Sequence, residues 1–199
     1  MNSTGIIHHD CLFCIIKQSK STFSLTFENP YLILDLFFQF PHMIKEHQYQ
    51  QKITWTGNLG KDTASYRDYQ RDFEINIPKK ASILGSSDPE FLGDPTKHNP
   101  EDLFLSAISS CHMLWYLHFC ATSGIHVVRY EDQPIGIMTE EQSGAGQFTK
   151  ITLYPTVWIR RAKQVNLAKE WHTKANEFCF IAKSLHIPIH HQPCVMVME

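Results

Sequence analysis

The polar and apolar residues of this chain alternate over several short stretches, the pattern typical of β-strands that are covered on one face. Two such stretches, YQQKITWTG and DFEINI, flank the polar turn GNLGKDT. The next segment, LGSSDPEFLGDPTKHNP, contains three Asp-Pro or Asn-Pro steps, which disfavour regular structure. Alternation returns in IHVVRYE, PIGIMTEE and FTKITLYPTVWI, with QSGAGQ as a turn, and the final IPIHHQPCVMVM predicts one or two more strands.

A long helix is predicted between Asn99 and Gly124. Asn99 suits the N-cap, Pro100 suits the first helical position, and the acidic side chains of Glu101 and Asp102 complement the positive end of the helix dipole. Apolar residues occur on nearly every face of this helix. We therefore expect it to be covered on all sides by a sheet, another helix or a second subunit.

A second helix is predicted from about Val165 to Leu185. Its apolar residues recur at steps of three and four and form one stripe: Leu167, Trp171, Ala175, Phe178, Ala182 and Leu185. The order of strands, helix, strands, helix and strand indicates an α+β fold.

Composition narrows the class of protein. The chain has 199 residues, 43% of them hydrophobic, which is typical of a globular domain, and its net charge of −2 gives no general attraction to nucleic acid or to an anionic membrane. The longest apolar run, YLILDLFFQF, is too short to span a bilayer, and no secretory signal precedes it. A cytoplasmic location is therefore predicted, where the six cysteines stay mostly reduced and a disulfide is more often transient and catalytic.

Residues 1–42 differ in composition from the rest of the chain and are predicted to be a separate extension, with Met43 opening the functional domain of residues 43–199. The extension contains CLFC (Cys11 and Cys14), half of a zinc site by spacing, but no second pair of cysteines follows. It resembles the opening of a histidine-triad nucleotide hydrolase without the His-x-His-x-His segment. We therefore expect no metal and no cofactor.

Cys111 lies inside the first predicted helix, with Trp115 one turn and His118 two turns further along the same face. A single buried cysteine is most often inert packing, and Cys120 is assigned that role because it falls on the opposite face. The neighbouring His112 points about 100° away around the helix, which disfavours a Cys-His nucleophile. His190 and His191, near Cys194, fall on opposite faces of a predicted strand, which disfavours a metal site there.

Two motifs together resemble the paired signature of the OsmC/Ohr family of hydroperoxide-reducing proteins. They are NPEDLFLSAISSCH, with a cysteine ten residues after Glu101, and CFIAKSL about seventy residues later. ITWTGNLG and YRDYQRDFEI are similar to the family's N-terminal strands, so that the resemblance covers roughly residue 43 to the end. It implies an α+β fold of antiparallel sheets wrapped around two central helices, in an intertwined homodimer.

The resemblance also implies a mechanism. Cys111 would be the thiolate that attacks an organic hydroperoxide, Cys179 would resolve the sulfenic acid as a disulfide, and an external dithiol of lipoyl or other type would reduce that disulfide. A cation is needed near Cys111, because burial alone favours the neutral thiol. The family uses an arginine that is held by a glutamate, which Glu101 would supply. Arg67 and Arg71 are the candidates here, with Lys61 as the alternative.

Two features leave alternatives open. Ten helical residues rise roughly 15 Å, so Glu101 reaches Cys111 only through an arginine, at a kink or across a dimer interface. Phe180 and Ala182 replace the family's usual Pro and Ser. The loss of the proline permits the predicted second helix to continue through Cys179, the loss of the serine removes a local hydroxyl, and together they put the resolving step in question. A non-catalytic protein that binds an apolar or sulfur-containing ligand is the second hypothesis.

Overall fold

The computed structural model describes residues 45–198 of the chain, and residues 49 to the end form one compact unit. The predicted extension of residues 1–42 lies outside the described residues. The N-terminal part of the unit is an antiparallel sheet of three strands, β1 (Lys52–Trp55), β2 (Phe73–Asn76) and β3 (Ile83–Gly85), in that order. The segment before the first helix was expected to lack regular structure, but β3 begins it and a 3₁₀ turn follows at Pro89–Phe91, capped by the side chain of Asp88.

The first helix, α1, spans Pro100–Thr122, and its predicted ends are confirmed. The Asn99 side chain accepts a hydrogen bond from the Asp102 N–H at 2.7 Å, which satisfies one of the free donors of the first turn. Gly124, with a φ of +71°, follows the last turn in the left-handed conformation that favours glycine.

Six further strands form two mixed sheets. They are β4 (Val127–Glu131), β5 (Ile135–Glu140), β6 (Gly146–Leu153), β7 (Thr156–Ile159), β8 (Ile189–His191) and β9 (Cys194–Val197). One sheet has the order β4-β7-β9 and the other β5-β6-β8, and β8 and β9 join their neighbours in parallel. The α+β fold is confirmed, but these two sheets are not purely antiparallel.

The single strand predicted across FTKITLYPTVWI is divided at Tyr154 and Pro155. Proline cannot donate to a ladder, so the chain passes there from one sheet to the other. Asp132 holds this crossing in place: it accepts the Tyr154 N–H at 2.7 Å and the Ser109 hydroxyl at 2.5 Å. Through Asp132, the segment where the chain passes between the two sheets is therefore connected to α1.

The second helical region consists of α2 (Val165–Phe178) and the short α3 (Phe180–Lys183), which follow a 3₁₀ turn at Ala162–Gln164. α1 has one buried stripe with a spacing of four: Ile108, His112, Tyr116 and Cys120. Tyr116 and Cys120 pack on α2 and the β4-β7-β9 sheet, whereas Ile108 packs on Ile151 and Leu153 of β6 in the other sheet. The other face of α1 stays partly open, with Leu114 62% exposed, so this helix is not covered on all sides within the described chain.

By length and composition, α1 alone among the described helices could cross a membrane. The core helix of a globular protein meets the same criterion. The contacts of its buried stripe with α2 and the sheet are those of such a core helix.

Candidate active site

The fold brings Cys111 and Cys179 together. Cys111 lies in the middle of α1, and Cys179 lies at the junction of α2 and α3. The Cys111 side chain lies close enough to the Cys179 thiol to act on its pKa, and both thiols are free. Cys179 is fully buried, whereas Cys111 is half-buried. Two thiols 68 positions apart in sequence thus meet between two helices, one of them open to solvent.

The helix predicted to run through Cys179 is broken at that residue. Cys179 has an extended backbone, with φ −62° and ψ 110°, and it is the N-cap of α3. Its sulfur accepts the Ala182 N–H at 3.4 Å and its carbonyl accepts the Lys183 N–H at 2.9 Å. The prediction was wrong because the loss of the family's proline does not enforce a continuous helix. The Cys179 side chain replaces the helical bonds that the break removes.

The Cys179 thiol is held in its neutral form. Burial and, after it, the neighbouring Cys111 together raise its pKa to about 12, while the N–H of Ala182 acts in the opposite direction. At neutral pH Cys179 is therefore a poor nucleophile, and it stays so as long as it remains buried beside Cys111.

An aromatic cluster stands beside the two thiols. The Trp115 ring lies one turn after Cys111 on α1, 5.3 Å from the ring of Phe178 and 5.5 Å from that of Phe180. These two phenylalanines flank Cys179, and Phe180 is 64% exposed. His118 also contacts Trp115 edge-on, which agrees with the predicted face. The cluster gives the site an apolar wall that solvent reaches.

The predicted activating residues are not bonded to one another within the described part of the protomer. Among the described residues, no hydrogen bond or ion pair joins Glu101 to Arg67 or Arg71. The Arg71 guanidinium donates to the carbonyls of Tyr66 and Tyr69, both at 2.6 Å, and lies 4.3 Å from the centroid of each ring.

Arg67 and Lys61 differ in whether their side chains have bonding partners in the described chain. Arg67 is exposed, and within residues 45–198 its side chain has no hydrogen-bond or ion-pair partner. Lys61 forms an ion pair with Asp68 at 3.2 Å. Of the three candidate cations, the Arg67 side chain is therefore the one not engaged within the described chain.

Sequence reasoning missed a buried pair of histidines next to the thiols. His112 Nε2 lies 3.0 Å from His172 Nδ1, and both side chains are 1% exposed or less. The Tyr116 ring stacks on His172 with 3.9 Å between centroids, and His191 lies near both histidines. The spacing of four from Ile108 to Cys120 was a signal that His112 faces the core.

Cys120 packs in the core as predicted, beside the hydroxyl of Tyr116, and burial raises its pKa to about 11.

Among residues 45–198, no group of three or more potential ligands is arranged to hold a metal ion. His190 is exposed and His191 half-buried, as alternation along a strand predicts. The candidate zinc ligands Cys11 and Cys14 lie outside the described residues.

The described part of the chain thus combines an α+β fold with two neighbouring free thiols at the packed helices. The family model of OsmC-like proteins matches residues 93–192, which contain both cysteines. The chain therefore belongs to the OsmC-like family, and the predicted resemblance is confirmed.

Solved structures agree with this assignment. An OsmC-like protein of unknown function from Vibrio cholerae is 28% identical with a TM-score of 0.65, over 74% of this chain and 99% of that one. Organic hydroperoxide resistance proteins from Elizabethkingia anophelis and Legionella pneumophila share the fold at 13% and 16% identity. Their TM-scores are 0.54 and 0.53, over 77% and 76% of this chain and 100% of each of theirs. No curated protein matches the sequence significantly.

Proposed function

We propose that this protein reduces organic hydroperoxides to alcohols with a pair of cysteines, in which Cys111 attacks the peroxide and Cys179 resolves the product. The contact between the Cys111 and Cys179 thiols carries the proposal. Membership of the OsmC-like family and the fold shared with organic hydroperoxide resistance proteins support it.

The difference in burial between the two thiols supports the proposed division of roles. A peroxide must reach the attacking sulfur, and Cys111 is the half-exposed thiol of the pair. Cys179 is fully buried, and burial raises its pKa to about 12, so it is almost entirely protonated at neutral pH. Because the thiolate is the nucleophile, Cys179 suits the second step and not the first.

The chemistry balances with one dithiol per peroxide. The Cys111 thiolate attacks the terminal oxygen of ROOH, the O–O bond breaks, and the alkoxide takes a proton to leave as ROH. The resulting sulfenic acid is attacked by the Cys179 sulfur, which loses its proton, and water leaves as the disulfide forms. An external dithiol, of lipoyl or other type, then reduces the disulfide and is itself oxidised by two electrons.

Oxidation of Cys111 also prepares Cys179 for its step. The charge and the hydrogen bond of Cys111 both raise the pKa of Cys179. A neutral sulfenic acid at Cys111 removes the charge, and the Ala182 N–H stays in place to stabilise the developing thiolate of Cys179. The resolving thiol thus becomes easier to ionise only after the peroxide has reacted.

The organic part of the substrate would lie against the aromatic cluster of Trp115, Phe178 and Phe180. These rings are within about one helical turn of the two cysteines in sequence, and Phe180 leaves most of its surface open. Apolar and aromatic groups bind such surfaces by removing both from water. The mechanism uses no metal and no bound cofactor, and its reduced thiols suit the cytoplasm.

We further propose that the active form is an intertwined homodimer. The β1-β2-β3 sheet has one apolar face, on which Ile53 and Trp55 remain 61% and 43% exposed. The open face of α1 is also apolar, with Leu114 exposed. A second copy of the chain would cover both surfaces, and it would allow an arginine of the 61–72 loop and Glu101 to approach a thiol of the other copy.

The direct test is turnover of cumene hydroperoxide with dihydrolipoamide as reductant. We expect wild-type turnover, loss of at least 100-fold in Cys111→Ser, and accumulation of a dimedone-reactive sulfenic acid in Cys179→Ser. Cys194→Ser is the matched control, because this exposed thiol on β9 should leave the rate unchanged. Equal rates in wild type and Cys111→Ser would refute the enzymatic proposal.

A non-catalytic function is the second candidate, because the Cys179 thiol is strongly held in its neutral form and an exposed aromatic surface stands beside it. The protein would then bind an apolar or sulfur-containing compound on the aromatic cluster. The absence of turnover, together with quenching of Trp115 fluorescence by such a compound, would favour this reading.

A further inference from the structure

The buried pair of His112 and His172 joins the helix of one cysteine to the helix that ends at the other. His112 directly follows Cys111 on α1, and His172 precedes Cys179 by seven residues, two helical turns, on α2. The two nitrogens are 3.0 Å apart, and the rings are nearly parallel, with an interplanar angle of 10°. This distance permits one N–H···N hydrogen bond, with one nitrogen protonated and the other bare.

The buried histidine pair lowers the stability of the fold, because two of its ring nitrogens lack hydrogen-bond partners among the described residues. The second nitrogen of each ring, His112 Nδ1 and His172 Nε2, is buried without a hydrogen-bond partner among the described residues. An unpaired buried polar atom destabilises a fold, and two leucines of similar volume would avoid that cost. The surrounding contacts of α1 with α2 are mainly apolar, from residues such as Tyr116, Ala168 and Ala175.

Apolar contacts and hydrogen bonds constrain two helices differently. Apolar packing has no strong directional requirement, whereas a hydrogen bond is made at only one relative position of its two groups. A single buried polar contact is known to fix the register of otherwise apolar helices at some cost in stability. The thiol contact, one residue away on α1, depends on that register.

We propose that the His112–His172 hydrogen bond is a positioning contact that holds the Cys111 and Cys179 thiols at the separation needed to form their disulfide. Among the described residues, neither histidine is hydrogen-bonded to Cys111 or Cys179, and the proposed role of both is positioning. This inference rests on the proposed pairing of the two cysteines. It adds a structural cause for the thiol contact that family membership does not supply.

The bond persists over the physiological pH range. Burial lowers the pKa of His112 to about 4 and that of His172 to about 3, and the neighbouring His191 acts in the same direction on both. The other titratable groups with rings near His172, besides His191, are Tyr116 and Tyr130. Burial raises the pKa of both tyrosines, so their hydroxyls stay neutral. No charge on either ring disturbs the contact near neutral pH.

The test measures the effective concentration of one thiol toward the other, which needs no peroxide. The full-length protein is equilibrated in mixtures of glutathione and glutathione disulfide, and the Cys111–Cys179 disulfide is quantified by mass spectrometry of peptides. Glutathione disulfide supplies the two-electron oxidation, and two glutathione thiols are released.

Matched variants separate the hydrogen bond from the packing. His112→Leu and His172→Leu remove the bond and are expected to lower the effective concentration about tenfold. His112→Gln and His172→Asn place an amide near the lost ring nitrogen, Nε2 and Nδ1 respectively, and should stay within about threefold of wild type. The double variant H112L/H172L avoids leaving one polar ring alone, which protects folding, and should match the single leucine variants.

The outcomes are distinct. Leucine variants that keep the wild-type effective concentration, with unchanged near-ultraviolet circular dichroism, would overturn the positioning role and leave the proposed peroxidase intact. The other outcome is a wild-type protein that forms the disulfide but does not turn over hydroperoxide, together with leucine variants in which the disulfide forms less readily. That outcome would support the positioning role and refute the peroxidase.

Discussion

The sulfur of Cys179 accepts the backbone N–H of Ala182 at 3.4 Å, so the buried cysteine of the thiol pair also caps a helix. In the proposed resolving step, the same donor that satisfies the start of α3 would stabilise the developing thiolate of Cys179. One hydrogen bond would then serve both the helix cap and that step.

Ala182→Pro removes that N–H and should slow the conversion of the Cys111 sulfenic acid to the disulfide about tenfold, because the Cys179 thiolate loses its donor. Stopped-flow tryptophan fluorescence after one equivalent of peroxide measures this step. Ala182→Ser keeps the N–H and is the control. An unchanged rate in the proline variant, with circular dichroism like that of wild type, would argue against a role for the cap.

Arg67→Ala should lower the rate at which Cys111 reacts with peroxide about tenfold and shift the pH-rate profile to higher pH. A guanidinium near a thiolate favours the charged form, and Arg67 is the candidate cation whose side chain has no partner in the described chain. Arg71→Ala should act mainly on stability, because its guanidinium binds two backbone carbonyls and two tyrosine rings. A loss of peroxide reactivity in Arg71→Ala but not in Arg67→Ala would assign the role of activating cation to Arg71.

Phe180→Ala should raise the KM for cumene hydroperoxide about three- to tenfold, the range expected for one lost aromatic contact. The KM for tert-butyl hydroperoxide should rise less, since this substrate has no ring to place against Trp115. The stability should change little because Phe180 is 64% exposed. Equal effects on both substrates would exclude a selective contact with the aromatic group.

The mass in solution should be twice 23.1 kDa. Ile53→Lys should shift it toward the monomer, because a charge on the apolar face of the β1-β2-β3 sheet opposes burial of that face. Light scattering after size exclusion measures the mass, and Thr173→Lys, on the exposed side of α2, is the control. A monomeric wild type at micromolar concentration would contradict the dimer.

The free energy of unfolding should fall as the pH is lowered from about 6.5 toward 4. Burial lowers the pKa of His112 to about 4 and that of His172 to about 3, so in this window the unfolded chain binds protons that the folded chain does not. The slope should reach at most about 1.4 kcal/mol per pH unit for each histidine. Urea unfolding at pH 7 and pH 5 measures it. In the variant H112L/H172L, the free energy of unfolding should depend less steeply on pH. The same pH dependence in the variant and in wild type would assign the effect to other groups.

The sequence by itself determined the local elements. Asn99, Pro100 and the acidic first turn located the start of α1. The predicted strand segments cover eight of the nine strands of the described chain, all but β3, although Pro155 divided one predicted strand into β6 and β7. These features depend on neighbours a few residues away, which periodicity and capping rules describe. The two-motif spacing that indicated the family is likewise a property of the linear sequence.

Tertiary structure decided the contacts between distant elements. It broke the second helix at Cys179, paired β8 and β9 in parallel with earlier strands, and buried His112 against His172, 60 residues apart. It also engaged Arg71 with its own loop, and within the described chain no hydrogen bond or ion pair joins Arg71 to Glu101. A hydrogen bond between remote side chains depends on how helices and sheets pack in space, and no local pattern of apolar and polar residues encodes that packing.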